Sequence, residues 1–171
     1  MIKNVIELFK SIIIAIVAAV LIITFIFETV SVDGQSMFPT LNNRDRLIIE
    51  KVSYYFKSPG VDDIIVLKYP ADTREKFIKR VVAVGGDKIK IENNRLYING
   101  IEKEEPYLNE DFINGFYKET TVPENTVFVL GDNRNNSKDS RFPDVGFVSK
   151  KLIVGRAALR IFPFNKIERI R

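Results

Sequence analysis

Ser11 to Phe27 is an unbroken run of seventeen uncharged, mostly aliphatic residues. About 20 apolar residues cross a bilayer core, with ~17 as the lower limit, and the neighbouring Phe9 and Val30 extend the reach. Lys3 and Lys10 precede the run, while Glu28 and Asp33 follow it. Basic residues are retained on the cytoplasmic side, so the amino terminus is expected inside and everything from Glu28 onward outside the cell membrane. The expected division is a cytoplasmic segment 1–10, a single transmembrane anchor 11–27 and an extracytoplasmic domain 28–171. Two other readings compete. A cleaved secretory signal peptide could use Thr29-Val30-Ser31 as a weak site, but the run exceeds the 7 to 15 residues of a signal-peptide core. The other is a helix buried inside a soluble core.

The 171-residue chain is long enough for one globular domain with a real core. It has no cysteine and no histidine. Disulfides and thiolate metal sites are therefore excluded, the commonest zinc ligand is missing, and no metal or cofactor is expected. A formal charge of +4, with basic and acidic residues interleaved, gives little support to nucleic-acid binding.

From Asp45 onward the pattern is that of strands. Leu47–Ile49, Ile64–Leu67, Phe77–Val84, Lys88–Ile91, Leu96–Ile98, Thr126–Leu130 and Leu152–Leu159 are short, rich in β-branched residues and bounded by turn signals. Glu92-Asn93-Asn94-Arg95 reads as the turn of a hairpin. Between about Asp87 and Pro123 the strands shorten, and a loop-like stretch 102–121 carries Tyr107, Phe112, Phe116 and Tyr117. The expected fold is mainly β: a single N-terminal transmembrane helix, then an antiparallel β-sheet domain with a small β-rich insertion at 87–123.

Chemistry is suggested by residues 31–41, Ser-Val-Asp-Gly-Gln-Ser-Met-Phe-Pro-Thr-Leu. If Ser36 is a nucleophile it must lose its proton to a base, and with no imidazole in the chain a lysine is the expected base. A lysine serves only when its neutral form is populated, which means lowering a reference value near 10.4 to about 7 or 8. Strand alternation places Lys79 on one face with Phe77, Val81 and Ala83, and Arg80 on the other with Ile78, Val82 and Val84. Burial of Lys79 would favour its neutral amine; the plainer alternative is an edge strand whose charges both reach water. A third segment follows Leu130: Gly-Asp-Asn-Arg-Asn-Asn-Ser-Lys-Asp-Ser-Arg, residues 131–141. It could be a simple turn. Its Asp132, Arg134, Asp139 and Arg141 could also pair and stiffen the loop, leaving Ser137 free to bond an amine.

These three blocks, Gly34–Leu41, Lys79–Asp87 and Gly131–Arg141, resemble in order the type I signal peptidases of bacteria, and the resemblance covers nearly the whole chain. The single anchor and short insertion look most like the compact Gram-positive form. The resemblance implies a serine endopeptidase that removes signal peptides from translocated preproteins through an ester on Ser36. It implies Lys79 as general base, Ser137 as the serine orienting the lysine amine, and Asp132, Arg134, Asp139 and Arg141 as supporting charges. The backbone N–H of Ser36 matches the principal oxyanion donor. Some members add a serine hydroxyl two positions earlier, where this chain has Gly34. Another departure is Arg141-Phe142-Pro143-Asp144-Val145-Gly146, where members usually have a glycine closer to the arginine. Family substrates bind as an extended strand with small residues at the first and third positions before the cut, and Val32, Leu41, Phe77 and Ile78 would wall those pockets. The implied partners are signal peptides and the lipid bilayer.

Two alternatives remain open, and a third is closed by the missing histidine. A self-cleaving repressor would share the Ser-Lys chemistry but needs a DNA-binding domain where this chain has an apolar run. The reticulum-type signal peptidases place histidine at the base position, which this chain lacks. A membrane-anchored β-domain that binds extended peptides, or an inactive homologue, would need no reaction.

Overall fold

The computed structural model describes residues 2–110 and 113–170, with side chains from residue 6 onward. Phe112 of the insertion aromatics and the side chain of Lys3 lie outside the described residues. The first element is helix α1, Ile2–Ile26. It begins well before the uncharged run because Glu7, Phe9 and Lys10 are compatible with a helix; charge limits where a hydrocarbon phase could start, not where the helix starts. The stretch Ile6–Ile26 is apolar enough to cross a membrane, and none of it is buried against the rest of the chain. The core-helix alternative therefore falls. At the far end the helix is sealed by Lys51, whose backbone N–H donates to Ile26 O at 2.9 Å and whose Nζ donates to Thr24 O at 3.0 Å. These bonds occupy carbonyls that the last turn leaves without helical partners.

Phe27 opens a strand instead of closing the helix. The remaining elements are β1 (Phe27–Ser31), β2 (Arg46–Glu50), α2 (Ser53–Phe56), β3 (Ile64–Tyr69), β4 (Asp72–Val84), β5 (Lys88–Glu92), β6 (Arg95–Ile98), β7 (Ile101–Glu102), β8 (Tyr117–Thr121), β9 (Thr126–Leu130), β10 (Val148–Ser149), β11 (Ile153–Phe162) and β12 (Glu168–Arg169). One sheet runs β1-β2-β11-β3-β4-β9-β10 with β12 against β11, and a smaller one runs β7-β6-β5-β8. The recorded pairings are all antiparallel. The mainly β fold behind one apolar helix is as the composition requires. β8 escapes a sequence reading because Tyr-Lys-Glu-Thr-Thr at the edge of the small sheet buries none of its residues fully and so looks like loop.

The small sheet has no core of its own. Its Ile89, Ile91 and Leu96 pack with Ile113 and Val122, and also with Val82, Phe128 and Leu130 of the large sheet. A second cluster, Val32, Met37, Leu41, Leu47, Ile49, Ile64, Val66 and Ala157, lies beneath the Gly34–Leu41 segment. The alternation expected along β4 breaks at a register shift between Val81 and Ala83. In consequence Val82 and Ala83 enter the same cluster, while Val81 packs elsewhere.

An opening in the large sheet matters most for the site. β4 is paired to β3 along Phe77–Lys79, but pairing to β9 begins only at Arg80. Among the described residues the other edge of Phe77–Lys79 carries no strand. β1 pairs only with β2, so its outer edge is also unoccupied. The two free edges flank one cleft, bridged at one end by Lys76 Nζ to Glu28 Oε1 at 2.6 Å.

Candidate active site

Ser36 is set between two anchors. Upstream, the Val32 N–H donates to Asp45 O at 2.8 Å; downstream, Leu41 N–H donates to Met37 O at 2.8 Å, with Met37 and Leu41 buried in the core. Between them Gly34 adopts φ +86°, a conformation that strains any L side chain although no neighbouring atom would crowd one. A serine at this position would be tolerated for space but not for backbone. That is a physical reason for the missing hydroxyl.

Lys79 Nζ lies 2.7 Å from Ser36 Oγ and 3.1 Å from Ile78 O. Its residue is only 4% exposed. Burial lowers its pKa from 10.5 to about 8, outweighing the carboxylates of Asp139 and Asp132, which push the other way. Once neutral, the amine can accept the Ser36 proton. The cleft, about 230 Å³, is also lined by Lys76 and Lys138. Lys138 is held above its usual range by bonds to Asp144 and Tyr69, so it stays cationic. Among these three, Lys79 is the lysine that reaches Ser36.

Arg80 is buried too, so neither charge of the pair escapes to water. Its guanidinium grips Asp132 at both oxygens, Nε to Oδ1 at 2.8 Å and Nη2 to Oδ2 at 2.7 Å. Asp132 Oδ2 also accepts from Thr40 Oγ1 at 2.5 Å, four residues beyond Ser36. Arg141 pairs with Asp139 at 2.8 Å, and Asp139 Oδ2 accepts from Gly131 N–H at 3.1 Å. Arg134 donates its Nε to Gly131 O within the loop at 3.0 Å but finds its carboxylate outside it, binding Glu105 with both Nη atoms at 2.6 and 2.5 Å. Glu105 in turn accepts from Tyr107 OH at 2.8 Å, and the Tyr107 ring lies 3.9 Å below the Arg80 guanidinium.

Glu105, Tyr107, Thr40 and Asn133 join the site without any sequence reading pointing to them. The signal for Glu105 is indirect: two buried arginines besides Arg141 need more carboxylates than residues 131–141 contain. Asn133 holds the Ser36 segment's backbone, its N–H donating to Ser36 O at 3.0 Å and its Nδ2 to Gln35 O at 3.0 Å.

Ser137 lies beside Ser36, but its buried Oγ has no hydrogen-bond partner among the described residues, so no bond joins it to the lysine amine in this arrangement. A β-carbon at Gly131 would overlap both the Ser137 hydroxyl and the Ser36 carbonyl oxygen. Glycine is required there by closeness alone. Gly131→Ala is expected to displace both serines and lower kcat on the order of 10²-fold, the cost of misplacing reacting groups by about 1 Å. Peptide turnover alongside circular dichroism checks this.

Val32, Phe77 and Ile78 line the cleft, as does Met37. Leu41 does not; it is fully buried in the cluster behind the cleft wall, because its turn bonds back to Met37. The Arg141–Gly146 departure forms a loop whose Asp144 binds Lys138 at 2.5 Å, beside the Tyr69 ring that stacks on Phe77 at 4.6 Å.

A family model described as signal peptidase, peptidase S26, matches residues 5–162. The chain belongs to the S26 signal peptidases. Signal peptidase I S of Bacillus subtilis (strain 168) is 37% identical, covering 98% of this chain and 94% of its own. Signal peptidase I of Leptolyngbya laminosa is 40% identical over 92% and 80%, and signal peptidase IB of Staphylococcus aureus (strain COL) 34% over 97% and 94%. A crystal structure of a signal peptidase I from Enterococcus faecalis V583 matches with TM-score 0.53 and 32% identity, over 60% of this chain and 98% of that one. Membership in the S26 signal peptidases makes this chain a serine peptidase and removes the repressor alternative.

Proposed function

We propose that this chain is a membrane-anchored signal peptidase that cuts signal peptides from translocated preproteins at sites with small residues, through a Ser36–Lys79 dyad. The observation that carries it is the 2.7 Å approach of Lys79 Nζ to Ser36 Oγ, with the amine lowered to about 8 by burial. The neutral Lys79 amine takes the Ser36 proton as Oγ attacks the scissile carbonyl. The resulting oxyanion is met by the Ser36 backbone N–H. Collapse breaks the C–N bond, and Lys79 returns its proton to the departing amine, which leaves as the new amino terminus. Lys79 then draws a proton from water as that water attacks the ester carbon; collapse breaks the C–Oγ bond, Lys79 returns that proton to Ser36 Oγ, and the signal peptide leaves with a new carboxyl terminus. Ser137 is the group to orient the amine during these transfers, and the pairs around Asp132, Arg134, Asp139 and Arg141 hold the loop that carries it.

Substrate fits as an extended strand in the gap between β1 and Phe77–Lys79, where neither flanking edge is paired to a described strand. A narrow cleft walled by Val32, Met37, Phe77 and Ile78 suits alanine-sized side chains. α1 serves as the single anchor, amino terminus inside, and 87–123 as an insertion in the outer domain 28–171.

The test is processing of a preprotein with an Ala-x-Ala site by the full chain in detergent. Wild type is expected to cut at that site and Ser36→Ala to leave it intact with the fold preserved. An inert wild type, or an active Ser36→Ala, sinks the reading and favours a peptide-binding domain.

A further inference from the structure

Tyr55 and Phe56, at 82% and 86% exposed, are the two most exposed large apolar side chains among the described residues. Scattered surface apolar groups are ordinary, but these are adjacent, on a one-turn helix that the fold holds rigidly. Glu50 Oε1 accepts from the N–H groups of Val52 and Ser53 at 2.8 and 2.6 Å, fixing the start of α2. Tyr54, between the cap and the exposed pair, turns inward, packs on the core and donates its hydroxyl to Asp63 Oδ2 at 2.9 Å. With Tyr54 turned inward, the next two rings face outward.

The position of α2 gives these rings an occupant. It starts two residues after Lys51, which is bonded to the last turn of α1 through Thr24 O and Ile26 O. The apolar stretch Ile6–Ile26 has 21 residues. At 1.5 Å per residue that is about 31 Å, enough to cross a bilayer's hydrocarbon core with Glu7 and Lys10 toward its inner edge. Ile26 therefore marks the outer boundary, and α2 sits beside it. Aromatic rings with lysines around them suit this layer, where rings rest among headgroups and ammonium groups meet phosphates; Lys51 and Lys57 bracket the pair in sequence.

We infer that Tyr55 and Phe56 form a foot that embeds in the outer interface of the bilayer next to the anchor, giving the domain a second point of attachment and stopping it from tilting or spinning about α1. This rests on α1 being a membrane span.

The chain has no tryptophan, so single-tryptophan reporters are clean. Tyr55→Trp, Phe56→Trp and, within α1, Ile16→Trp would each be reconstituted as the full chain in vesicles containing phospholipids brominated at shallow or deep acyl positions. Shallow bromines are expected to quench the reporters at positions 55 and 56 more than deep ones do, and deep bromines to quench the reporter at position 16 more. Quenching at position 16 with none at positions 55 and 56 overturns the foot and leaves the span standing. Absence of quenching at all three positions overturns the span and the foot with it.

Discussion

Lys79→Met is expected to lower signal-peptide cleavage by roughly 10³-fold or more while making the protein more stable. The activity loss follows from removing the base that faces Ser36 Oγ, since general acid–base catalysis supplies about 10²–10⁴-fold. The stability gain follows from the same burial that prepares the amine. Folding lowers its pKa from 10.5 to about 8, which at ~1.36 kcal/mol per unit amounts to about 3 kcal/mol against the folded state near pH 7. An uncharged methionine escapes that cost. Between pH 8 and 10.5 the unfolded lysine still holds a proton that the folded one has released. Wild-type stability therefore rises with pH across that window, and the variant's advantage shrinks. Denaturant titrations at several pH values, paired with peptide turnover, test both halves. The activity of wild type should climb about tenfold per pH unit up to about 8 and then level, because the neutral amine is the working form. Lys79→Arg should not restore it, because a guanidinium does not give up its proton.

Arg80→Met should do the opposite to stability. Asp132 has a side chain with 0% exposure, held by Arg80 at two oxygens. Removing one partner of a buried pair costs about 3–5 kcal/mol, since the other charge is left in a poor medium. Activity should fall as well, because Asp132 also holds Thr40, on the turn that presents Ser36. The double variant Arg80→Met/Asp132→Leu should recover part of the stability, and urea unfolding of wild type, both single variants and the double variant measures the coupling. Equal stability of Arg80→Met and wild type would show that the pair contributes nothing to the fold.

Most of the large sheet was legible because β3, β4, β9 and β11 are bounded by turn residues and rich in β-branched side chains. That a serine nucleophile here needs a lysine was legible from chemistry, since no imidazole is available; which lysine was not, because strand alternation left Lys79 either buried or at an edge, and the family resemblance pointed to it. The pairing of charges was not. Asp132, Arg134, Asp139 and Arg141 look self-sufficient in sequence, yet only Asp139 and Arg141 pair with each other; Asp132 turns to Arg80 and Arg134 to Glu105. These partners lie 52 and 29 positions away. Register across strands decides them, and local spacing carries no trace of it. Leu41 misled for a related reason: it is aliphatic and near the nucleophile, but a turn back to Met37 directs it into the core.

Helix α1 passes into β1 with no residue between them, and Lys51 ties the last helical turn to the end of β2. Ser36, as the proposed nucleophile, cannot range over a substrate when mounted this way. β1 carries it outward by five residues, about 17 Å at ~3.3 Å per residue, and the turn to Ser36 is fixed at both ends. The fold is thus a ruler as much as a blade. A preprotein whose small residues lie a few positions too near or too far from its apolar segment would be spared, however well those residues fit the cleft.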